Sequence, residues 1–218
     1  MRQTQVLDGP RLPARGGTIR QLVVFLHGYG ADGHDLIDIG RRWASALPDA
    51  AFVSPHAPEP CGGAPYGRQW FALADMSPRS LASGVAGAAA SVDRFLDSEL
   101  ARHGLSARSA ALVGFSQGAM MALHAGPRRS QALAGVVSYS GILADPQSLA
   151  QQIASRPPFL LTHGGQDQII PAAALDHAVK GLAAAGLAAE WHLRPTMGHG
   201  IDETCLDLGA DFLARLFR

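Results

Sequence analysis

A serine between two glycines is the part of this sequence whose residue types and spacing most directly allow chemistry. Residues 114–118 read Gly-Phe-Ser-Gln-Gly and fit the pattern G-x-S-x-G, with Ser116 at the centre. Apolar residues on both sides of this pattern predict a strand, a sharp turn and a helix. Such a nucleophile elbow lifts the serine hydroxyl clear of the sheet, and the glycines let strand and helix pack closely beside it. An ordinary glycine-rich turn carries the same pattern, so the partners of Ser116 decide the interpretation.

Two further polar residues follow Ser116 in the chain order that a serine nucleophile requires. Asp167 comes after an apolar run at residues 159–163, and His199 lies in a glycine-flanked loop after the next predicted strand. Side chains that follow strands in this order converge on one edge of a parallel sheet. A neutral imidazole at His199 would remove the proton of Ser116, while the Asp167 carboxylate would orient that imidazole and stabilise its charged form.

Charge that develops on a substrate oxygen needs fixed hydrogen-bond donors beside the serine. The backbone N–H of Gln117, at the start of the helix after the elbow, is one candidate donor. The other is a backbone N–H from the glycine-rich segment at residues 27–30, which directly follows a predicted central strand.

Other polar residues fit these roles less well. Three more aspartates could orient the histidine, but one follows an earlier strand and two fall at or within predicted helices. These three are Asp145, Asp176 and Asp202. A zinc site made of His27, His34 and Asp32 can be drawn, but the spacing matches no familiar ligand pattern, so no metal is expected.

Alternating strands and helices must position these residues. Runs of strand-forming apolar residues lie at residues 22–26, 51–54, 110–113, 133–140, 159–163 and 189–194. Helical periodicity lies between these runs, and Gly126-Pro127 is expected to end the helix that follows Ser116. Together they predict an α/β fold: a mostly parallel central sheet with helices on both faces, in a single domain over residues 1–218 with no separate cap domain.

The segment at residues 55–76 is long, irregular and rich in proline and glycine. A loop of that length in a compact domain usually has a function. Its aromatic residues Trp70 and Phe71 predict a flap that borders a substrate pocket, although packing that merely pins the loop is the alternative for either ring. Ile169 and Ile170, which follow Asp167 closely in the chain, are expected to line the same pocket.

Composition excludes several kinds of partner. Charged residues make up 17% of the chain, and 18 basic residues balance 18 acidic ones, so no basic field attracts nucleic acid or anionic lipid. No apolar run reaches the roughly 20 residues that a membrane span needs, and a soluble cytoplasmic protein without stable membrane insertion is expected. The two cysteines, Cys61 and Cys205, lie far apart in the sequence, so a disulfide framework is not indicated.

The motifs as a set resemble the acyl-protein thioesterase and carboxylesterase family, also called the phospholipase/carboxylesterase family, of small lidless α/β hydrolases. They cover nearly the whole chain in the family's order. The matching segments are residues 25–32, 54–58, 69–71 and 114–118, His163-Gly164 with Asp167 and Pro171, and Gly198-His199. The chain departs from the common pattern at Tyr29, where relatives often have leucine, and at Ala72, where they usually have aspartate. Around Asp167, Gly165 and Gln168 replace the aspartate and proline that are frequent in relatives.

This resemblance implies hydrolysis of carboxylic esters or thioesters through a serine acyl-enzyme, with no cofactor. It also implies that the backbone N–H groups of Tyr29 and Gln117 are the oxyanion donors. We therefore expect a serine carboxylesterase acting on small-molecule acyl esters of short to medium chain length. Thioesterase or lysophospholipase activity at the same site is the alternative, and a non-catalytic binding protein with the hydrolase fold is the rival from another class. The sequence leaves a homodimer open.

Overall fold

A computed structural model describes residues 7–62, 64 and 66–218. Within this part of the chain the main sheet has seven strands. They are β1 (Arg11–Leu12), β2 (Gln21–Leu26), β3 (Ala50–Val53), β6 (Ala110–Phe115), β7 (Gly135–Tyr139), β8 (Phe159–Gly164) and β9 (Ala189–Arg194). The two remaining strands of the described chain, β4 (Glu59–Pro60) and β5 (Arg68–Gln69), form a small antiparallel hairpin.

The main sheet is parallel except at one edge. Its order is β1-β3-β2-β6-β7-β8-β9, and only β1 pairs antiparallel with its neighbour β3. The central strands run in register, with Leu26 of β2 opposite Gly114 of β6. The loops that follow β2, β6, β7, β8 and β9 therefore all emerge at one edge of the sheet, the edge where open α/β sheets bind ligands.

Helices cover both faces of this sheet. They are α1 (His34–Trp43), α2 (Pro78–His103), α3 (Gln117–Arg128), α4 (Pro146–Gln152), α5 (Ala173–Ala184) and α6 (Glu203–Leu216). One apolar cluster joins α2, α3, α4 and α5 to one face, and a second joins α1 and α6 to the other. Strand β2 shows why both clusters form, because Leu22 and Val24 enter the first while Val23 and Phe25 enter the second. The predicted layered architecture is confirmed.

The predicted end of the helix after Ser116 is wrong. Helix α3 continues through Gly126 and Pro127 to Arg128. Proline so close to the helix end removes only one hydrogen bond of the last turn. The Pro127 carbonyl, which lies in that last turn and has no donor within the helix, accepts from the backbone N–H groups of Ala154 and Ser155. None of the helices in the described residues is long and apolar enough to cross a membrane.

Candidate active site

The turn between β6 and α3 holds Ser116 in a strained backbone conformation. Its φ is 54° and its ψ is −116°, which residues with side chains rarely adopt. A Cβ atom at Gly114 would lie 2.3 Å from the carbonyl oxygen of Gly118, and one at Gly118 would lie 1.9 Å from that of Leu26. Both positions therefore require glycine, and the turn is the sharp elbow that the sequence pattern predicts.

The structure brings Ser116 together with the histidine and the aspartate that the chain order selects. His199 Nε2 lies 3.0 Å from Ser116 Oγ, and His199 Nδ1 lies 2.7 Å from Asp167 Oδ2. Because a carboxylate only accepts, the Nδ1 nitrogen carries the proton and Nε2 presents its lone pair to the serine hydroxyl. This arrangement can transfer the hydroxyl proton to the imidazole.

Asp167 is fixed by the backbone of its own loop. Its Oδ1 atom accepts from the N–H groups of Ile169 at 2.9 Å and Ile170 at 2.8 Å, which leaves Oδ2 for His199. Burial raises the pKa of the Asp167 carboxyl, but hydrogen bonds from His199, Ile170 and Ile169 outweigh that effect and hold the pKa below its usual value. The carboxylate is therefore ionised and already oriented.

The loop that carries His199 is braced from two strands. Ser140, at the end of β7, has a φ of 49°, and its hydroxyl donates to the Gly200 carbonyl over 3.3 Å. The end of β8 lies so close to this loop that a Cβ atom at Gly164 would come within 2.2 Å of the Gly198 carbonyl oxygen. The Phe115 ring lies 5.0 Å from the imidazole of His199. These contacts restrict the position of the imidazole relative to Ser116.

The loop after β2 lies directly beside Ser116. A Cβ atom at Gly28 would come within 3.4 Å of the serine Cβ atom. As far as the described residues show, neither the Tyr29 N–H nor the Gln117 N–H donates to another group of the protein. Both expected donors are therefore available to an oxygen next to Ser116.

A buried clamp ties the flap to this loop and to the elbow. The Gln117 side chain is fully buried, accepts from the Trp70 N–H over 2.9 Å and donates to the Phe71 carbonyl over 2.7 Å. The Trp70 indole donates to the His27 carbonyl over 2.9 Å. Trp70 and Phe71 are only 1% and 6% exposed, so both rings pack beneath the loop after β2 and do not line an open pocket.

His27 is a structural residue of the same cluster. Its Nε2 accepts from the Ala57 N–H over 3.0 Å, so its Nδ1 carries the proton and donates to the Gly28 carbonyl over 2.8 Å. Burial lowers the pKa of His27 to about 4, so the imidazole is neutral at physiological pH. With both nitrogens engaged, His27 is no ligand for the zinc site drawn from the sequence.

A different group, Asp32, His34 and His56, brings three possible metal ligands within 4.8 Å of one another. The Gly33 N–H donates to His56 Nδ1 over 3.1 Å and so occupies the lone pair that faces Asp32. If His56 bound a metal through Nε2, its Nδ1 would have to carry a proton. The Gly33 N–H, which already points at Nδ1, excludes that proton. The group braces the start of α1 and does not present three free donors.

An apolar groove of about 460 Å³ reaches the loop of Asp167 through Ile170, and Ser116, Asp167 and His199 are not among its lining residues. Its walls come from the segments after the flap, after β7 and after β8, and include Met76, Leu81, Ile142, Leu143 and Ile170. Ile170 reaches the groove while its N–H binds Asp167. Ile169, which the sequence also places at the pocket, is instead 67% exposed to solvent and does not line the groove.

Comparison with known families identifies the chain. Residues 9–217 match the model of the phospholipase/carboxylesterase family. The chain belongs to this family. Membership in this phospholipase/carboxylesterase family, together with the sheet described above, gives the protein an α/β-hydrolase fold and makes it a hydrolase acting on ester bonds.

Similarity to individual proteins supports the same family. It is 29% identical to esterase YpfH of Escherichia coli over 95% of the chain and 86% of the relative. It is 30% identical to acyl-protein thioesterase 1 of Schizosaccharomyces pombe over 68% of the chain and 69% of that protein. The crystal structure of esterase PE8 superposes with a TM-score of 0.93 at 41% identity, over 97% of this chain and all of that one.

The sequence does not predict the contacts of two side chains at this candidate site. The partners of the Gln117 side chain lie 46 and 47 positions away along the chain, beyond the reach of any local pattern. The positive φ of Ser140 has no sequence signal other than the glycine that follows it.

Proposed function

We propose that the protein is a serine carboxylesterase that cleaves short- to medium-chain acyl esters through Ser116, His199 and Asp167. One observation carries the proposal: His199 lies within hydrogen-bond distance of Ser116 Oγ through one nitrogen and of Asp167 through the other. A histidine held between a strained serine and a buried carboxylate is the arrangement of a general base and is not expected of a surface histidine.

Acylation of the serine follows from this geometry. Oγ attacks the ester carbonyl carbon while His199 Nε2 takes the hydroxyl proton, and Asp167 stabilises the resulting imidazolium. The carbonyl oxygen becomes an oxyanion that accepts from the Tyr29 and Gln117 N–H groups. The tetrahedral intermediate then breaks its bond to the leaving alkoxide oxygen, which receives the proton from His199 and departs as the alcohol.

Deacylation repeats these steps with water. His199 removes a proton from a water molecule, whose oxygen attacks the acyl-enzyme carbonyl and forms a second oxyanion in the same place. Collapse returns the proton to Ser116 Oγ and releases the carboxylic acid. No step requires a metal or an organic cofactor.

The apolar groove supports an acyl chain as the bound part of the substrate. Its volume of about 460 Å³ lies in the range of small-molecule pockets, and its walls are largely aliphatic. Ile170 links this groove to Asp167, so a chain bound there would extend away from the triad. A thioester passes through a similar tetrahedral intermediate, so the triad alone permits thioesterase activity as well.

A substrate panel tests the proposal. Wild type and Ser116→Ala would be assayed side by side on p-nitrophenyl esters of increasing acyl length, an acyl thioester and a lysophospholipid. We expect the highest kcat/KM on short and medium oxygen esters and none with Ser116→Ala. No hydrolysis of any substrate, together with no labelling of Ser116 by a fluorophosphonate, would favour the non-catalytic binding protein.

The groove has its own test. Ile142→Trp would fill part of the groove, and we expect the acyl-length profile to shift towards shorter chains without loss of acetate hydrolysis. Ile153→Trp is the matched control, because Ile153 lines a polar depression at the opposite edge of the sheet. An unchanged profile in Ile142→Trp would remove the groove from the substrate site.

A further inference from the structure

Strand β9 is an edge of the main sheet that is open to solvent. Among the described residues it pairs only with β8, and its four central residues are all exposed. Trp191 is 53% and Leu193 is 43% exposed, and both belong to a strand rather than to the rim of the active site. Open apolar edge strands are sites of pairing with another strand unless something prevents it.

The outward-pointing backbone groups of β9 can be assigned. The Arg194 carbonyl accepts from the Gly165 N–H on the β8 side over 2.8 Å. Because the N–H and C=O of one strand residue point to the same side and alternate along the strand, Glu190 and His192 also point to β8. Ala189, Trp191 and Leu193 therefore present their N–H and C=O groups outward.

Side chains follow the same alternation. Ala189 packs against the apolar cluster that contains α5, so Trp191 and Leu193 lie on that face of the sheet. Glu190 and Arg194 lie on the other face, where Glu190 pairs with Arg215 of α6 at 2.7 Å and Arg194 pairs with Asp202 at 2.9 Å. The apolar and the charged residues of β9 are thus separated onto opposite faces.

We propose that β9 pairs antiparallel with β9 of a second copy of this chain, so that the two sheets become continuous in a homodimer. In such a pair, residues whose backbone groups point outward must lie opposite one another. A two-fold axis through His192 satisfies this condition. The backbone of Trp191 then forms two hydrogen bonds with the backbone of the partner's Leu193. The symmetry-related pair, Leu193 with the partner's Trp191, forms two more. On the other face, Glu190 lies opposite the partner's Arg194.

Charge complementarity selects this register and this partner. With Glu190 opposite the partner's Arg194, the two ion pairs within each chain join into a row of alternating charge. The row runs from Arg215 through Glu190 and the partner's Arg194 to the partner's Asp202, and the two-fold axis generates a second, identical row. An axis at Trp191 would instead place Glu190 opposite the partner's His192 and leave Arg194 without an opposing acid, so the sequence from Glu190 to Arg194 is complementary to itself about His192.

Sedimentation velocity and light scattering at micromolar concentrations test the dimer. We expect wild type to show twice the 22.8 kDa mass of one chain. Leu193→Pro removes an outward N–H without touching the bonds to β8 and should give a monomer. Glu190→Arg places like charges opposite each other at two symmetric positions and should weaken dimerisation by about tenfold or more.

Two further variants separate loss of the β9 contact from loss of the fold. Arg215→Ala removes the partner of Glu190 within the chain and should leave the dimer intact. The double variant Glu190→Arg with Arg194→Glu again places opposite charges across the two-fold axis and should recover part of the dimerisation that Glu190→Arg loses. The recovery is partial because each new side chain faces a like charge within its own chain, at Arg215 or Asp202. A monomeric wild type, or a dimer that Leu193→Pro and Glu190→Arg leave unchanged while far-UV circular dichroism shows both folded, would overturn the proposal.

Discussion

Replacement of Asp167 by asparagine separates its effect on His199 from its effect on the loop. One carboxylate oxygen accepts two backbone N–H groups, and the other accepts from His199. Asparagine can keep its carbonyl oxygen on the two N–H groups but must direct its NH₂ at His199 Nδ1. That nitrogen then has to accept, so the imidazole proton moves to Nε2, which can no longer take the proton of Ser116.

The size of both effects follows from these contacts. The wrong tautomer costs on the order of 10⁴ in kcat in a comparable triad, which corresponds to about 5 kcal/mol of lost transition-state stabilisation. Stability should change little, because both backbone bonds survive. In Asp167→Ala the same activity is lost, but two N–H groups lose their acceptor, and the free energy of unfolding should fall by about 2–4 kcal/mol.

The assay compares kcat on p-nitrophenyl acetate with urea unfolding for both variants and for Asp202→Asn as a control. Asp202 lies close to His199 in sequence and caps α6, where asparagine is an equally good cap, so most of the activity should remain. An Asp167→Asn enzyme that loses less than about tenfold in kcat would refute the tautomer argument. Equal stability of the asparagine and alanine variants would refute the role of Asp167 in bracing the loop.

Three other outcomes follow from the supporting residues. Gln117→Leu should lower the free energy of unfolding by about 2–4 kcal/mol, because two buried flap groups lose their partners, and should lower kcat/KM; unchanged urea unfolding would contradict this. Gly118→Ala should abolish the active fold, since its Cβ would lie 1.9 Å from the Leu26 carbonyl oxygen; an active, stable variant would disprove the steric argument. Burial lowers the pKa of His27 and His124 to about 4, whereas unfolded histidine titrates near ~6.5. The unfolded state therefore binds more protons between these values, and the free energy of unfolding should fall as pH drops through that window, by about 3 kcal/mol for each histidine; a pH-independent melting temperature would argue against it.

The sequence predicts most of the fold and the elements of the site because these signals are local. The apolar run before Ser116, the glycines around it and the positions of Asp167 and His199 after strands all depend on neighbouring residues. The parallel sheet then brings the three loops to one edge without any further information. A local signal also marks the end of α2, since Gly104 follows His103 with a φ of 63°, a conformation that favours glycine.

Features that depend on distant contacts could not be predicted. The sequence pattern of an aromatic residue in a loop is the same whether the ring lines a pocket or packs beneath the loop. The hydrogen bonds of Trp70 to Gln117 and His27 show that this ring packs beneath the loop. The strands of the hairpin β4–β5 have two residues each, too few for any alternation to show. Arg68 pairs with Gly30 and Ala31 through the backbone, so side-chain patterns carry no trace of that contact.

Trapping of the acyl-enzyme tests the central claim most directly. Wild type and the Ser116→Ala and His199→Ala variants would be mixed with p-nitrophenyl acetate, quenched in acid and mapped by peptide mass spectrometry. The proposed mechanism requires one acetyl group on the Ser116 peptide of wild type, none on that peptide in Ser116→Ala, and strongly slowed acylation in His199→Ala. An acetyl group on another residue of a turning-over enzyme, or undiminished turnover by Ser116→Ala, would contradict it.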